Sequence, residues 1–211
     1  MLVDDHAMFR QGLKFLLSDL DQSLHFSEAG SCDQAISIYQ ETPVDLILLD
    51  LNMPGSDGLG ALHQITTIAQ GVPTVVLSGE NDPGIIRAAI ERGASGFVPK
   101  ASSSEILVAA LRLILAGGVY LPPNALNSVA DEYVDPEKRG ETHSALSELL
   151  SDRQVAVLLK AIQGQPNKVI AIDMGIAEGT VKSHLSAAYK VLGVHNRTEA
   201  VFAAARWGLK P

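Results

Sequence analysis

Residues Val44 to Gly58 read VDLILLDLNMPGSDG. Leu46 to Leu49 form an unbroken apolar run that ends in Asp50, and the turn formers Pro54, Gly55, Asp57 and Gly58 follow. A short apolar run bounded in this way is a strand buried on both faces, as in a parallel sheet. Asp50 therefore stands at the carboxyl end of a central strand, where open α/β sheets form their ligand crevices.

Three further stretches end in the same manner. Leu2-Val3 leads into Asp4-Asp5, Val72 to Ser78 (VPTVVLS) ends in a hydroxyl, and Ser95 to Lys100 (SGFVPK) ends in an ammonium. Leu24 to Gly30 supplies a fifth strand. Helical patterns lie between them: Ala7 to Leu20, with Phe9, Leu13, Leu16, Leu17 and Leu20 in phase, then Cys32 to Thr42 and Leu59 to Ala69. In the third of these, Leu62, Ile65 and Ile68 are expected to face inward. Ile85, Ile86, Ala89 and Ile90 line a fourth helix that Gly93 ends. Ile106, Leu107, Ala110, Leu111 and Ile114 share a face of a fifth, from Glu105 to Ala116. The alternation predicts a doubly wound, five-stranded parallel sheet. Asp4, Asp5 and Asp50 would then converge at one sheet edge and repel one another unless a cation joins them. Oxygen ligands point to a hard ion, Mg²⁺. His6 reads as a rim or capping residue rather than a ligand.

The set Asp4, Asp5, Asp50, Ser78 and Lys100, in this order, resembles the flavodoxin-like receiver domain of two-component response regulators, over the first half of the chain. The resemblance implies that Asp50 accepts a phosphoryl group, as a nucleophile forming an acyl phosphate. It implies that Asp5 and Asp50 coordinate Mg²⁺, with Asp4 acting through water and the Asn52 carbonyl completing the shell. Ser78 and Lys100 would neutralise the transferred group's oxygens. Ser78 and Phe97 occupy the positions of the switch pair. Receivers usually carry a few more residues before the acid pair, so the first strand is short here.

With 211 residues, 46% of them apolar and 19% charged, the composition is that of a globular protein of one or two domains. No run reaches membrane-spanning length and the first residues lack a signal-peptide pattern. The single cysteine, Cys32, excludes an intramolecular disulfide and suits a reducing cytoplasm. The net charge of −8 is unevenly spread: residues 1–120 hold 6 Lys/Arg against 14 Asp/Glu, whereas residues 147–211 hold 8 against 5. The C-terminal piece is locally basic, as a nucleic-acid contact requires. Residues 1–119 are assigned to the α/β domain. Residues 120–146, rich in Pro, Asn, Glu, Lys and Gly, are assigned to a flexible linker and 147–211 to a small all-α domain.

In that domain Ser151 is a natural N-cap for the stripe Val155, Leu158, Leu159 and Ile162, and Asn167 is expected to cap the next helix. Gly175 breaks that helix, a third runs from Glu178 to about Leu192, and a fourth from Arg197 to Trp207. LSDRQVAVL, NKVIAIDMGIAEGTVKSHL and LGVHNRTEAV resemble the LuxR-type helix-turn-helix of the NarL/FixJ subfamily. The family places the TVKSH helix in the DNA major groove. Lys182, Ser183 and Ser186 share one face and suit base edges, while Val181, Leu185 and Ala188 turn inward. Thr180, His184 and Lys168 suit phosphate contacts. Ala156, Ala177, Ala188 and Val191 depart from the family pattern, and Ala177 in place of Ser weakens an N-cap by about 1 kcal/mol.

Together these features describe a response regulator transcription factor rather than an enzyme. It would be cytoplasmic, take its phosphoryl group from a sensor histidine kinase, and bind promoter DNA as a homodimer with two-fold symmetry. Two alternatives are a phosphorylation-independent DNA-binding regulator whose receiver serves dimerisation, and an Mg²⁺-dependent aspartyl-phosphate phosphatase. The second lacks its usual acid/base carboxylate, because Asn52 stands there.

Overall fold

The computed structural model describes residues 1–18, 23–55, 57–126, 149–194 and 196–206. The chain divides into two compact units, Met1–Arg112 and Leu113–Pro211. In the first, strands β1 (Leu2–Val3), β2 (Glu28–Ala29), β3 (Ile47–Asp50), β4 (Thr74–Ser78) and β5 (Gly96–Pro99) alternate with helices. The helices are α1 (Ala7–Ser18), α2 (Cys32–Glu41), α3 (Gly58–Ile68), α4 (Pro83–Glu91) and α5 (Ser104–Leu115), whose last turn belongs to the second unit.

All pairings are parallel and the strand order is β2-β1-β3-β4-β5, the doubly wound arrangement expected from the alternation. Ile47, Leu48 and Leu49 are buried, as a central strand covered on both faces requires. The register sets Asp50 beside Leu77 and Ser78 beside Pro99, so the functional strand ends lie at one edge. Gly58 closes the loop after β3: a Cβ there would lie 2.0 Å from the Leu51 carbonyl oxygen, a clash that only glycine avoids.

Three expectations for the first unit are corrected. The strand expected over Leu24 to Gly30 contracts to Glu28–Ala29, because its only neighbour is the two-residue β1 and an edge strand without a longer partner cannot extend. Ile68 and Ile106 are exposed rather than inward. The buried sets are Ala61, Leu62, Ile65 and Ala69 beside α3, and Leu107, Ala110, Leu111 and Ile114 on α5; each exposed isoleucine sits at the margin of its stripe, on the solvent side.

The second unit contains a 3₁₀ turn (Pro123–Leu126) and helices α6 (Asp152–Ile162), α7 (Asn167–Met174), α8 (Glu178–Leu192) and α9 (Arg197–Arg206). The expected linker residues 127–146 and Trp207 lie outside the described residues. Ser151 caps α6 in a full capping box with Gln154. Gly175 and Gly193 end α7 and α8 in the left-handed conformation. Ala177 starts α8 with no side-chain cap. Two apolar clusters hold the unit, one around Leu158, Ile162, Ala188 and Val201, the other around Val157, Ile170, Val181 and Leu185.

Asn167 does not cap α7; Pro166 holds that position, and Asn167 is buried with its Oδ1 accepting from Arg197. The cause is Arg197, whose buried guanidinium must be satisfied. It donates to the carbonyls of Ala161, Gln165 and Gly117 as well, so it ties the end of α6, the α6–α7 turn and the segment after α5 together. Burial lowers the pKa of Arg197, with the nearby Tyr189 hydroxyl acting in the opposite sense. The Tyr189 hydroxyl is itself buried with no hydrogen-bond partner among the described residues. In urea unfolding, Arg197→Ala should therefore destabilise this unit by about 2–3 kcal/mol, since several buried carbonyls lose their donor. Tyr189→Phe should be neutral or stabilising by up to about 1 kcal/mol. A clear loss on Tyr189→Phe would show that the hydroxyl has a partner.

Candidate functional site

The carboxyl ends of β1, β3, β4 and β5 build an acidic pocket. Asp4 and Asp50 are almost fully buried, two like charges that neither solvent nor distance separates. Lys100, just past β5, bridges them: its Nζ lies 2.8 Å from Asp4 Oδ2 and 2.7 Å from Asp50 Oδ2. The ammonium also rests 4.4 Å from the centroid of the Phe9 ring, a cation–π contact from α1. Burial by itself would lower the Lys100 pKa, but the hydrogen bonds and charges of Asp4 and Asp50 outweigh it and raise the pKa above the ordinary lysine value. A raised folded-state pKa means the bridge contributes stability at neutral pH and loses it only as pH rises through that pKa.

The remaining atoms are set by the backbone. Asp50 Oδ1 accepts from the Asn52 amide at 3.0 Å, which turns the loop after β3. Ser78 is buried and its Oγ accepts from the Glu80 amide at 3.1 Å. The Lys100 amide donates to the Ser78 carbonyl at 2.7 Å, coupling the ends of β4 and β5. Phe97, three residues earlier on β5, is wholly enclosed beside Val76. Arg10 joins Glu28 and donates to the Asp4 carbonyl, and Lys14 also pairs with Glu28, which fixes α1 against β1 and β2.

Asp5 differs from its neighbours. Its Oδ1 is buried yet makes no hydrogen bond among the described residues. His6 Nδ1 lies 3.0 Å from it, and the ligand atoms of Asp4, Asp5, His6 and Asp50 lie within 4.8 Å of one another. The carboxylates fit a hard divalent ion such as Mg²⁺. The structure thus gathers Asp4, Asp5, Asp50, Asn52, Ser78 and Lys100 at one edge. Sequence reasoning sets His6 and Arg10 beside the acid pair but misses the Phe9 contact with Lys100, because that contact crosses from α1 to the end of β5.

In the second unit Lys182, Ser183 and Ser186 are exposed on one face of α8, together with Gly179 and Lys190, while Val181, Leu185 and Ala188 are buried. Thr180 and Lys168 are exposed and His184 is half-buried. Lys182 lies 3.5 Å from Glu178, an exposed i,i+4 pair of little energetic weight. The Ser183 hydroxyl donates to the Gly179 carbonyl at 3.1 Å, which leaves its oxygen as an acceptor toward the outside.

A receiver edge joined to a helix-turn-helix face defines the class of response regulators, and comparison with known proteins agrees. Residues 1–112 match the response regulator receiver domain, and residues 148–204 match the LuxR family of bacterial regulatory proteins. The glycerol metabolism activator of Pseudomonas putida is 37% identical over 97% of this chain and 93% of its own length. The transcriptional regulatory protein YdfI of Bacillus subtilis is 35% identical over 99% and 96%. A LuxR-family two-component response regulator from Aurantimonas sp. superposes with a TM-score of 0.55 at 31% identity, over 63% of this chain and 94% of that one. The chain belongs to the LuxR-type response regulators: it is a DNA-binding transcription regulator controlled through a phosphorylatable receiver. No helix among the described residues is long and apolar enough to cross a membrane.

Lys100→Met should leave Asp4 and Asp50 as an uncompensated buried pair and destabilise the receiver by about 3 kcal/mol at neutral pH. Added Mg²⁺ should recover part of that loss and stabilise the variant more than the wild type. Urea unfolding with and without Mg²⁺ checks both; equal Mg²⁺ effects on the two proteins would separate the metal from the lysine-bridged carboxylates.

Proposed function

We propose that Asp50 is the phosphoryl acceptor and that the donor is the phosphohistidine of a sensor kinase. The observation that carries this reading is the Asp50 carboxylate, buried at a strand end, held by Asn52 on one oxygen and by Lys100 on the other. Attack by an Asp50 oxygen on phosphorus forms an O–P bond as the N–P bond to the donor imidazole breaks. Mg²⁺ held by Asp5, Asp50 and the Asn52 carbonyl, with Asp4 behind a water, would supply charge neutralisation at the transferred oxygens. Lys100 would exchange its bond to Asp50 for one to a phosphoryl oxygen. Ser78, whose oxygen already accepts from Glu80, would donate its hydroxyl hydrogen to another. Because the Lys100 amide is tied to the Ser78 carbonyl, both strand ends would shift together, and the buried Phe97 on β5 would repack. That repacking is the switch, promoting a homodimer able to engage two half-sites of promoter DNA in the cytoplasm.

Lys182 and Ser186 would read base edges, with Ser183 accepting from an exocyclic amine. Lys168, Thr180 and His184 would hold phosphates. Incubation with a small-molecule phosphodonor and Mg²⁺ should give one phosphoryl adduct by intact-mass measurement, absent in Asp50→Asn and in Asp5→Ala. An adduct persisting in Asp50→Asn would place the acceptor elsewhere.

On DNA, Lys182→Ala should cost about 1–3 kcal/mol on the cognate site and relax preference at one base position. Lys168→Ala should weaken all sequences alike and flatten the salt dependence. Equal loss of specific and random binding in Lys182→Ala would make it a phosphate contact.

A further inference from the structure

Lys100 is the counter-charge of the pocket, and α1 gives it a contact of a kind that the carboxylates do not. Two of the three donors on its Nζ go to Asp4 Oδ2 at 2.8 Å and Asp50 Oδ2 at 2.7 Å. The ammonium also stands over the Phe9 ring, 4.4 Å from its centroid. A ring face attracts an ammonium through its quadrupole but has no oxygen lone pair, so it holds the charge without competing for a strong hydrogen bond.

The ring is fixed by its chain neighbours. The His6 amide donates to Asp4 Oδ1 at 2.7 Å, and the His6 carbonyl accepts from the amides of Phe9 and Arg10 at 3.0 and 3.2 Å. On the other side of Phe9, the Arg10 guanidinium donates to the Asp4 carbonyl and, at 3.0 Å, to Glu28. The first turn of α1 is thus pinned to Asp4 both before and after Phe9, and Asp4 is one of the two carboxylates that Lys100 binds. Phe9 is half-buried whereas Met8 beside it is almost fully exposed, so the aromatic residue is the one that this turn directs at the pocket.

We propose that Phe9 is a positioning residue for phosphoryl transfer, its ring holding the Lys100 ammonium beside Asp50 to meet the incoming phosphoryl group. The proposal rests on Asp50 being the acceptor. Lys100 is partly exposed, and without the ring its ammonium can turn toward water instead. As the O–P bond to Asp50 forms and the donor's bond to phosphorus breaks, the N–H that donated to Asp50 Oδ2 passes to a phosphoryl oxygen. All three protons stay on Nζ. A third carboxylate in the ring's place would bind the ammonium through a charge-assisted hydrogen bond and hold it back; the ring asks for no such bond.

Phosphoramidate and MgCl₂ added to the full-length protein, with the adduct followed by intact mass, give the rate of transfer. In Phe9→Leu, which keeps an apolar side chain but loses the ring, the rate at saturating phosphoramidate should fall about fivefold with the half-saturating concentration unchanged. Phe9→Tyr, which keeps a ring face, should restore the wild-type rate. Nitrogen-edited proton NMR of the wild type should show the Lys100 ammonium protons shifted upfield by the ring current, a shift lost in Phe9→Leu and kept in Phe9→Tyr. Lost apolar packing alone would not move those protons, and the wild-type shift is read without any variant. Circular dichroism checks that each variant folds. An adduct forming at the wild-type rate in Phe9→Leu, or wild-type ammonium protons with no ring shift, would overturn the role of Phe9 and leave Asp50 as the acceptor. A wild type that takes no adduct, or an Asp50→Asn variant that takes it as fast, would overturn the acceptor reading and the role of Phe9 with it.

Discussion

The receiver half depends on two buried like charges being held together. Asp4 and Asp50 stand at the ends of adjacent parallel strands, and each is nearly excluded from solvent. Their desolvation and mutual repulsion are offset by one ammonium that reaches both, donated by Lys100 from the far edge strand and backed by the Phe9 ring. One ammonium against two carboxylates leaves the pocket short of positive charge, with the Asp5 carboxylate beside it.

That balance explains why the strand ends are tied to one another. The Lys100 amide bonds to the Ser78 carbonyl, so the residue that leaves Asp50 and the hydroxyl that would follow the phosphoryl group belong to one hydrogen-bonded pair of strands. Phe97 sits in the same strand, fully shielded from solvent.

The DNA-binding unit solves a different problem. It is small, its two apolar clusters share few residues, and its helices are joined by turns rather than by a sheet. Arg197 compensates by donating to carbonyls from three separate segments, doing in the interior what a longer core would do by burial. The exposed face of α8 is then left for recognition, with Lys182 and the serines held on a helix whose inward side is set by Val181, Leu185 and Ala188.

The sequence alone determined what depends on local pattern. The apolar run before Asp50, the ends in Asp-Asp, Ser and Lys, the glycines after α7 and α8, and the capping box at Ser151 are short-range features, so the sheet class and helix-turn-helix could be read directly. The tertiary structure decided what depends on the partner of each residue. The second strand is two residues long because β1 offers it no more to pair with. Ile68 and Ile106 face outward because helix phase against a curved sheet is set by packing, to within one residue. Asn167 serves Arg197, thirty positions away, rather than its own helix. His6 reads as a rim residue on the linear chain, and only the turn after β1 brings its ring nitrogen within 3.0 Å of Asp5 and 3.2 Å of Asp4. Contacts between residues distant in sequence, or between neighbours folded back on each other, are fixed by burial and unsatisfied polar groups, and no periodicity in the sequence encodes those.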